Sequence, residues 1–484
     1  MEEVLPPTIL VLILSKAGAH SCARAACVGR TWRCVASEDS LWISFCQRDF
    51  ELSAPLDPAG APCSSHKAAY EAWRTGFKVY PMALVLRAKQ CWDGIRSWAV
   101  SNFPDAYKSL LPGASEEEIE EAEEKLGWRL PTSVRLLYRF CNGQELPDES
   151  NDYQVLYSEN DNYVGILGGY SFYEYYVNMQ LFPLSLVVKM SQRFLPRLKL
   201  PTGSKRIIIA ACCNLNKFFF LDCDDGMVYV GTRNLQTDGE MMSCAPFHVS
   251  NVLGDDESGF QKDAMLRWLE EYRNCLLNGT FHVHQDENMC SISLFPEDDS
   301  LCTEAVTCGV QVRCSAVFVP EHSTLKEEND KYMFSYRVRM RLLPSRAGHS
   351  MESCQLSCRH WVIKADDQAV NEVRGEAVVG MYPLLQENGE EFVYESCTPL
   401  RSCSGSIEGD FTFVPGSLGK PKGAEFIAIV ARVPLLVPRF YMIFKLCRLY
   451  LDLQSKESQQ VSIGIQTTDL LLSPVKNIQT LCTY

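Results

Sequence analysis

Residues 374–413 read RGEAVVGMYPLLQENGEEFVYESCTPLRSCSGSIEGDFTF, and this stretch decides the fold of the C-terminal part. Glycines stand in two groups, Gly375/Gly380 and Gly405/Gly409, on either side of a run that alternates as a strand at Phe392 and Tyr394. Glycine at such places means positive φ, or a backbone approach that a Cβ would block, so two tight loops are expected. The period of two spreads outward. Val310, Val312, Cys314, Ala316 and Phe318 alternate with mostly polar residues. Tyr332, Phe334, Tyr336, Val338, Met340 and Leu342 alternate strictly with Met333, Ser335, Arg337, Arg339 and Arg341. Such alternation marks strands with one buried and one wet face, which puts the three arginines in water. Further strands are expected at 361–364, 391–395, 409–414, 426–432 and 439–446. About seven short strands separated by turn signals make a β-sandwich.

The quoted block resembles the signature of the ApaG domain. Gly375, Val378, Val379 and Gly380 follow its G-x-G-V-V-G, with Ala377 in place of the middle glycine. Pro383 comes next, then Phe392, Tyr394 and Ser396 as F-x-Y-x-S. Ser404, Gly405, Ile407 and Gly409 follow S-G-x-M-x-G, with isoleucine for methionine. The resemblance implies a fibronectin-like sandwich over about 300–450 that acts as a binding module and not as an enzyme. Gly375, Gly380, Tyr382, Tyr394, Gly405 and Gly409 are its candidate ligand positions, with Tyr382 and Tyr394 as exposed aromatic anchors. A phosphate-cradling loop needs a helix after it, and here extended structure and Pro383 stand instead. The loop is therefore read as a tight inter-strand connection, with anion sensing as the alternative.

At the other end, residues 5–50 read as a small helical unit. Leu5, Ile9, Leu12 and Ile13 fall on one helical face, and Pro6 and Pro7 sit where a helix start tolerates proline. Val28, Trp32, Leu41, Trp42 and Phe45 supply further apolar weight. About 45 residues bury too little surface to be comfortable alone, so a partner is expected. The pattern resembles an F-box: Leu5-Pro6, an Ile/Leu first helix, Val28-x-Arg30-x-Trp32, then Leu41-Trp42. The resemblance implies docking of a Skp-type adaptor, with Leu5, Pro6, Ile9, Ile13, Val28, Trp32, Leu41 and Trp42 as the residues that either pack the module or meet the adaptor.

Residues 51–104 open with a Pro/Ala/Ser loop and continue as a helical connector carrying Tyr70, Trp73, Phe77, Trp92, Ile95 and Trp98. At Ser115, with Glu118 three positions on, stands a capping box. Ile119, Ala122 and Leu126 form the buried stripe behind it, and Gly127 ends the helix. Leu130-Pro131 opens a second helix that stops at Asn142-Gly143. This arrangement resembles the opening of SUKH-superfamily domains, which implies an α/β sheet over about 105–280. Strands are expected at 206–211 and 218–223, with Asp225-Gly226 as a hairpin turn, and a closing helix at 263–277. The glutamates at 116–121 read as a solvated helix face.

The chain has 484 residues, 46% of them hydrophobic and 22% charged, which suits several folded domains. A net charge of −14 speaks against unaided nucleic-acid binding, and no apolar run is long enough to span a bilayer. Glu2 and Glu3 precede the short apolar run at 9–14, where a secretory signal needs basic residues. A cytoplasmic or nuclear chain is expected, with its 22 cysteines largely as buried free thiols. His282, His284 and Cys290, and likewise Cys354, Cys358 and His360, lack a second half-site and read as structural; no metal or cofactor is expected. Residues 286–300 read as an acidic linker and 451–484 as a tail. The fold class is thus multidomain α+β: a helical F-box at 1–50, a SUKH-like α/β domain and a C-terminal all-β sandwich. The three resemblances together imply a substrate receptor of an SCF-type ubiquitin ligase that performs no bond chemistry. Its partners would be the adaptor, through it a cullin–RING core, and protein targets, with neither nucleic acid nor membrane.

Overall fold

The computed structural model describes residues 6–145, 164–172, 175–212, 214–245, 263–286, 289–297, 301–326, 332–344 and 351–441. Leu5, the tail and residues 442–446 of the strand expected at 439–446 lie outside them, and residues 439–441 are bends and a turn, not the start of a strand.

Eight helices come first: α1 (Pro7–Ala25), α2 (Arg30–Ala36), α3 (Asp39–Phe50), α4 (His66–Gly76), α5 (Met82–Asn102), α6 (Pro104–Ser109), α7 (Glu116–Leu126) and α8 (Thr132–Phe140). Gly18, at φ +85° and ψ 166°, interrupts α1 and turns its second part back toward α2. The capping box is present: the Glu118 amide donates to Ser115 Oγ at 3.1 Å and the Ser115 amide to Glu118 Oε2 at 2.7 Å. Gly127 ends α7 at φ +83°. Of the glutamates at 116–121, Glu117, Glu118, Glu120 and Glu121 are exposed as expected, whereas Glu116 and, beyond the run, Glu123 turn inward. They hold Arg135 at 2.7 and 2.6 Å and tie α7 to α8.

Next comes an eight-stranded sheet, with β1 (Gly169–Phe172), β2 (Tyr175–Leu181), β3 (Arg206–Cys212), β4 (Phe218–Asp222), β5 (Val228–Gly231), β6 (Met241–Ser243), β7 (His282–Asp286) and β8 (Met289–Ser293) in the order β6-β5-β4-β3-β2-β1-β8-β7. Helices α9 (Leu184–Phe194) and α10 (Ala264–Leu277) accompany it. Pairings are antiparallel except β1 with β8. The expected linker at 286–300 is therefore corrected: β7 and β8 form a hairpin, with His284 opposite Ser291. Its acidic residues obscured the apolar ones, and Ile292, Leu294 and Phe295 are buried.

The remaining strands are β9 (Cys302–Thr307), β10 (Val310–Phe318), β11 (Tyr332–Leu342), β12 (Ser353–Ala365), β13 (Gln368–Glu376), β14 (Leu384–Gln386), β15 (Phe392–Leu400), β16 (Ser404–Ser417), β17 (Lys420–Pro421) and β18 (Phe426–Leu436). They make two antiparallel sheets, β15-β11-β10-β9 and β13-β12-β16, with β18 and β17 on β16 and β14 on β12. Between the sheets lie Val312, Tyr336, Val338, Met340, Trp361, Phe411 and Phe413, all buried. Trp361 meets Tyr336 and Phe411 edge-on at 5.6 and 5.5 Å.

The alternate face of β11 is covered over most of its length. Arg337 is 5% exposed, pairs with Glu395 and lies over the Phe295 ring at 4.8 Å. Arg339 pairs with Glu297 at 2.7 Å. Ser335 Oγ donates to the Ser171 carbonyl at 2.7 Å, and the Ser171 amide donates to Glu395 Oε2 at 2.8 Å. The alternation marks a polar face correctly, but that face is covered by the middle sheet and neutralised by its own chain's carboxylates. Arg337 and Arg339 are thus an internal seam between sheet and sandwich, while Arg341 at the end of the row is exposed as expected.

Candidate functional site

The N-terminal module buries Leu10, Leu14, Ala19, Cys22, Val35, Ala36, Leu41, Trp42 and Phe45 together, with Trp32 packed partly against them. Trp42 Nε1 donates to the Ala36 carbonyl at 2.8 Å, which locks α3 to the end of α2. Burial pushes the Cys22 thiol up, and the Cys46 thiol to about 11. Both behave as small apolar groups.

The rest of the expected set faces outward. Ile9 is 44% exposed, Leu12 58%, Ile13 43% and Val28 72%, and Pro6 is exposed as well. The helical face read from the sequence is therefore the outer face of α1, while Leu10 and Leu14 supply its inner one. Leu41 and Trp42 belong to the module's packing. Between residues 4 and 37 the chain has no carboxylate, whereas Lys16, Arg24, Arg30 and Arg33 are present. A segment that exposes apolar side chains and carries cations but no carboxylate, in a chain of net charge −14, is suited to an acidic protein partner.

A run of aromatic rings fixes this module to the connector and to α8. Trp42 meets Tyr70 at 5.4 Å, Tyr70 meets Phe50 at 4.9 Å, and Phe50 stacks on Trp73 at 5.4 Å. Trp73 meets Phe77 at 5.5 Å and Phe77 stacks on Phe140 of α8 at 5.2 Å. Tyr70 also donates its hydroxyl to Asp49 Oδ2 at 2.8 Å. The connector is a rigid bracket and not a flexible tether.

The second candidate region is the loop after β13. Ala377, Val379 and Gly380 have φ of +60°, +43° and +78°. Val378 and Met381 exchange backbone hydrogen bonds at 3.0 and 2.8 Å around Val379-Gly380, a primed turn that normally takes Asn-Gly. A β-branched residue at positive φ is strained. Arg359 holds the loop from below, donating to the Glu376 and Ala377 carbonyls at 2.8 and 2.6 Å. Val379, Met381, Tyr382 and Leu384 are exposed around it, and Tyr382 donates to Glu376 Oε2 at 3.0 Å.

Other expected positions need correction. Tyr394 is 6% exposed, lies on β15 opposite Val338 and offers no contact surface. Its alternation with Phe392 was legible, but the side that faced the core was not. Gly405 and Gly409 stand within β16, not in a loop. A Cβ at either would lie 2.2 Å from the Lys364 carbonyl oxygen or 1.9 Å from that of His360. They are close-approach glycines of the β12–β16 pairing. Gly375 likewise sits in β13, and Gly380 alone of these four occupies a turn.

Comparison with known proteins now adds the family. Family models match at residues 3–48 (F-box-like), 113–244 (SMI1 / KNR4 family, SUKH-1) and 322–415 (ApaG domain). F-box protein SKIP16 of Arabidopsis thaliana is 44% identical over 437 residues, 89% of this chain and 98% of that protein. The chain belongs to the SKIP16 family of F-box proteins. F-box only protein 3 of Bos taurus is 26% identical over 414 residues, covering 85% of this chain and 79% of that one. Protein ApaG of Anaeromyxobacter dehalogenans is 36% identical over 134 residues, 28% of this chain and 94% of its own length. In this family setting Ala377 occupies the middle glycine position of the ApaG signature, and its φ of +60° explains why glycine suits that position. The departure from the signature was the one signal in the sequence of a strained loop. Among the described residues no helix is long and apolar enough to cross a membrane.

Proposed function

We propose that this SKIP16-family chain is the substrate-binding subunit of an SCF-type ubiquitin ligase. The single observation that carries this reading is the ridge of Ile9, Leu12, Ile13 and Val28, exposed on a module whose core is already closed by Leu10, Leu14 and Trp42. The ridge, with Pro6 beside it, docks a Skp-type adaptor, and Trp32, Leu41 and Trp42 hold it in shape. Leu5 is assigned to the same surface on its sequence position.

The chain makes and breaks no bond. It raises the effective concentration of target lysines near a charged ubiquitin-conjugating enzyme. A rigid receptor does this better than a loose one, because fixed geometry concentrates the lysines into a small volume. The ring run from Trp42 to Phe140 and the ion-paired seam at Arg337 and Arg339 support that role. Targets are held by the parts of the chain beyond the F-box, with Gly380 and Tyr382 at the exposed loop of the sandwich.

The test is co-purification of the full chain with a Skp-type adaptor. Ile9→Asp/Ile13→Asp should abolish it while leaving thermal unfolding within a few degrees of the parent, since both side chains face solvent. Undiminished adaptor capture by this variant would remove the assignment.

A further inference from the structure

A cleft of about 820 Å³ opens where the loop after α3 faces α5 and the segment beyond α6. Four cations line it: Lys89, Arg96, Lys108 and Arg139. Three have carboxylate partners, Lys89 with Asp93 at 2.5 Å, Lys108 with Asp105 at 3.0 Å and Arg139 with Glu116 at 3.0 Å. Arg96 has none among the described residues. Its Nη2 donates to the Phe140 carbonyl at 2.5 Å, its guanidinium lies 5.9 Å from the Trp92 ring, and Cys141 is its other polar neighbour.

The acids of the cleft are occupied differently. Asp57 accepts from the amides of Ala59 and Ala61, and Glu51 accepts from Gln90. The acceptors are thus supplied with donors while one half-buried guanidinium, a five-donor group, meets only the Phe140 carbonyl and the Cys141 thiol and no carboxylate among the described residues. The rim adds Leu56 and Tyr107, 36% and 43% exposed, and no hydrogen bond involves the Tyr107 hydroxyl among the described residues. A half-buried, unneutralised guanidinium beside an apolar and aromatic rim is the chemistry that receives a carboxylate on an extended chain.

We infer that this cleft binds an extended peptide through an acidic side chain that pairs with Arg96, with a neighbouring apolar residue against Leu56 and Tyr107. This inference rests on the reading of the chain as a substrate receptor, and it names the class of target segment. The cleft lies on the rigid bracket between F-box and middle domain, so a peptide held there is fixed relative to the adaptor.

The experiment uses the full chain with its adaptor and two matched sets of fluorescein-labelled twelve-residue peptides, all C-terminally amidated. One set carries a central Asp or Glu flanked by apolar residues, and the other carries Asn or Gln there. Fluorescence anisotropy should show binding of acidic members only. Arg96→Gln should weaken it about tenfold or more, as expected for a lost charge-assisted pair. Leu56→Asp, which places a second carboxylate at the rim, should weaken it as well, and this variant leaves the Arg96–Phe140 contact intact. Equal binding of the two sets, or acidic binding untouched by both variants, overturns the proposal. Adaptor co-purification is scored separately. Its absence from the parent chain removes the receptor reading, whereas its presence with no acidic preference removes this inference alone.

Discussion

Lys217 Nζ lies 3.3 Å from Glu321 Oε2, and both side chains are buried between the middle sheet and the sandwich. The ammonium also donates to Tyr170 Oη at 2.6 Å and to Tyr441 Oη at 2.5 Å, and Tyr170 donates to Glu321 Oε1 at 2.6 Å. Burial alone would discharge the lysine, but Glu321 and the phenols outweigh it and raise its pKa. Removing one partner of such a group strands the other. Lys217→Met should cost about 3–5 kcal/mol in chemical denaturation, and Lys217→Met/Glu321→Leu should recover most of it. A double variant no more stable than the single one would mean that the charges, and not the packing, hold the two domains together.

A second contact of the same seam gives it an acid limit. Glu297 is half-buried, which raises a carboxyl pKa, but its pair with Arg339 and the nearby His282 and Arg337 more than offset this and lower it from 4.5. A carboxyl lowered on folding adds stability that is fully present above its unfolded value and disappears as pH falls through the folded one. Between the parent and Glu297→Gln, the difference in denaturation midpoint should therefore be constant above pH 4.5 and shrink below it. A difference that grows on acidification would contradict the assigned sign.

The β12–β16 pairing leaves no room at Gly409, where a Cβ would stand 1.9 Å from the His360 carbonyl oxygen. Gly409→Ala should force the strands apart beside Trp361, which pairs with it, and lower the melting temperature by several degrees or prevent folding. Gly419→Ala, at a position with open space, is the control and should melt with the parent.

The two sides of α1 should separate stability from binding. Leu14→Ala removes a buried side chain from the small module and should cost about 2–5 kcal/mol. Ile13→Ala, one position earlier and 43% exposed, should cost under about 0.5 kcal/mol yet weaken adaptor capture. Hydrogen exchange of the α1 amides reports the first effect and adaptor titration the second.

Periodicity was enough to find the long sandwich strands β10 and β11, the capped helix at Ser115 and the apolar face of α1, because each is written in local spacing, whereas the hairpin of β7 and β8 was hidden by its acidic residues. Which side of that face turns inward is not local. The stripe of Ile9, Leu12 and Ile13 reads as well for an inner face as for an outer one, and packing by Leu10 and Leu14 decides it. The same holds for Arg337, whose polar face is legible but whose cover, Glu395 on β15 and Ser171 on β1, comes from distant segments. Tyr394 was misplaced for this reason too. Arg96 gave no sign in the sequence, since a missing carboxylate is visible only once every neighbour is placed.

The loop of Ala377, Val379 and Gly380 permits a test in the stabilising direction. Alanine and valine at positive φ each cost on the order of 1–3 kcal/mol of backbone strain, while glycine there costs only the extra entropy of its unfolded chain, roughly 0.5–1 kcal/mol. Ala377→Gly and Val379→Gly should therefore each raise stability by about 1 kcal/mol, and more at Val379, where the β-branch aggravates the strain. Val379 is 53% exposed, so its replacement gives up little packing. Ala377 is buried, but its methyl is small. If the loop is strained to present Val379, Met381 and Tyr382 to a target, Val379→Gly should gain stability and lose target capture together. A gain in stability with undiminished capture would make the strain incidental, and no gain at either position would show that the Arg359 clamp had already relaxed the turn.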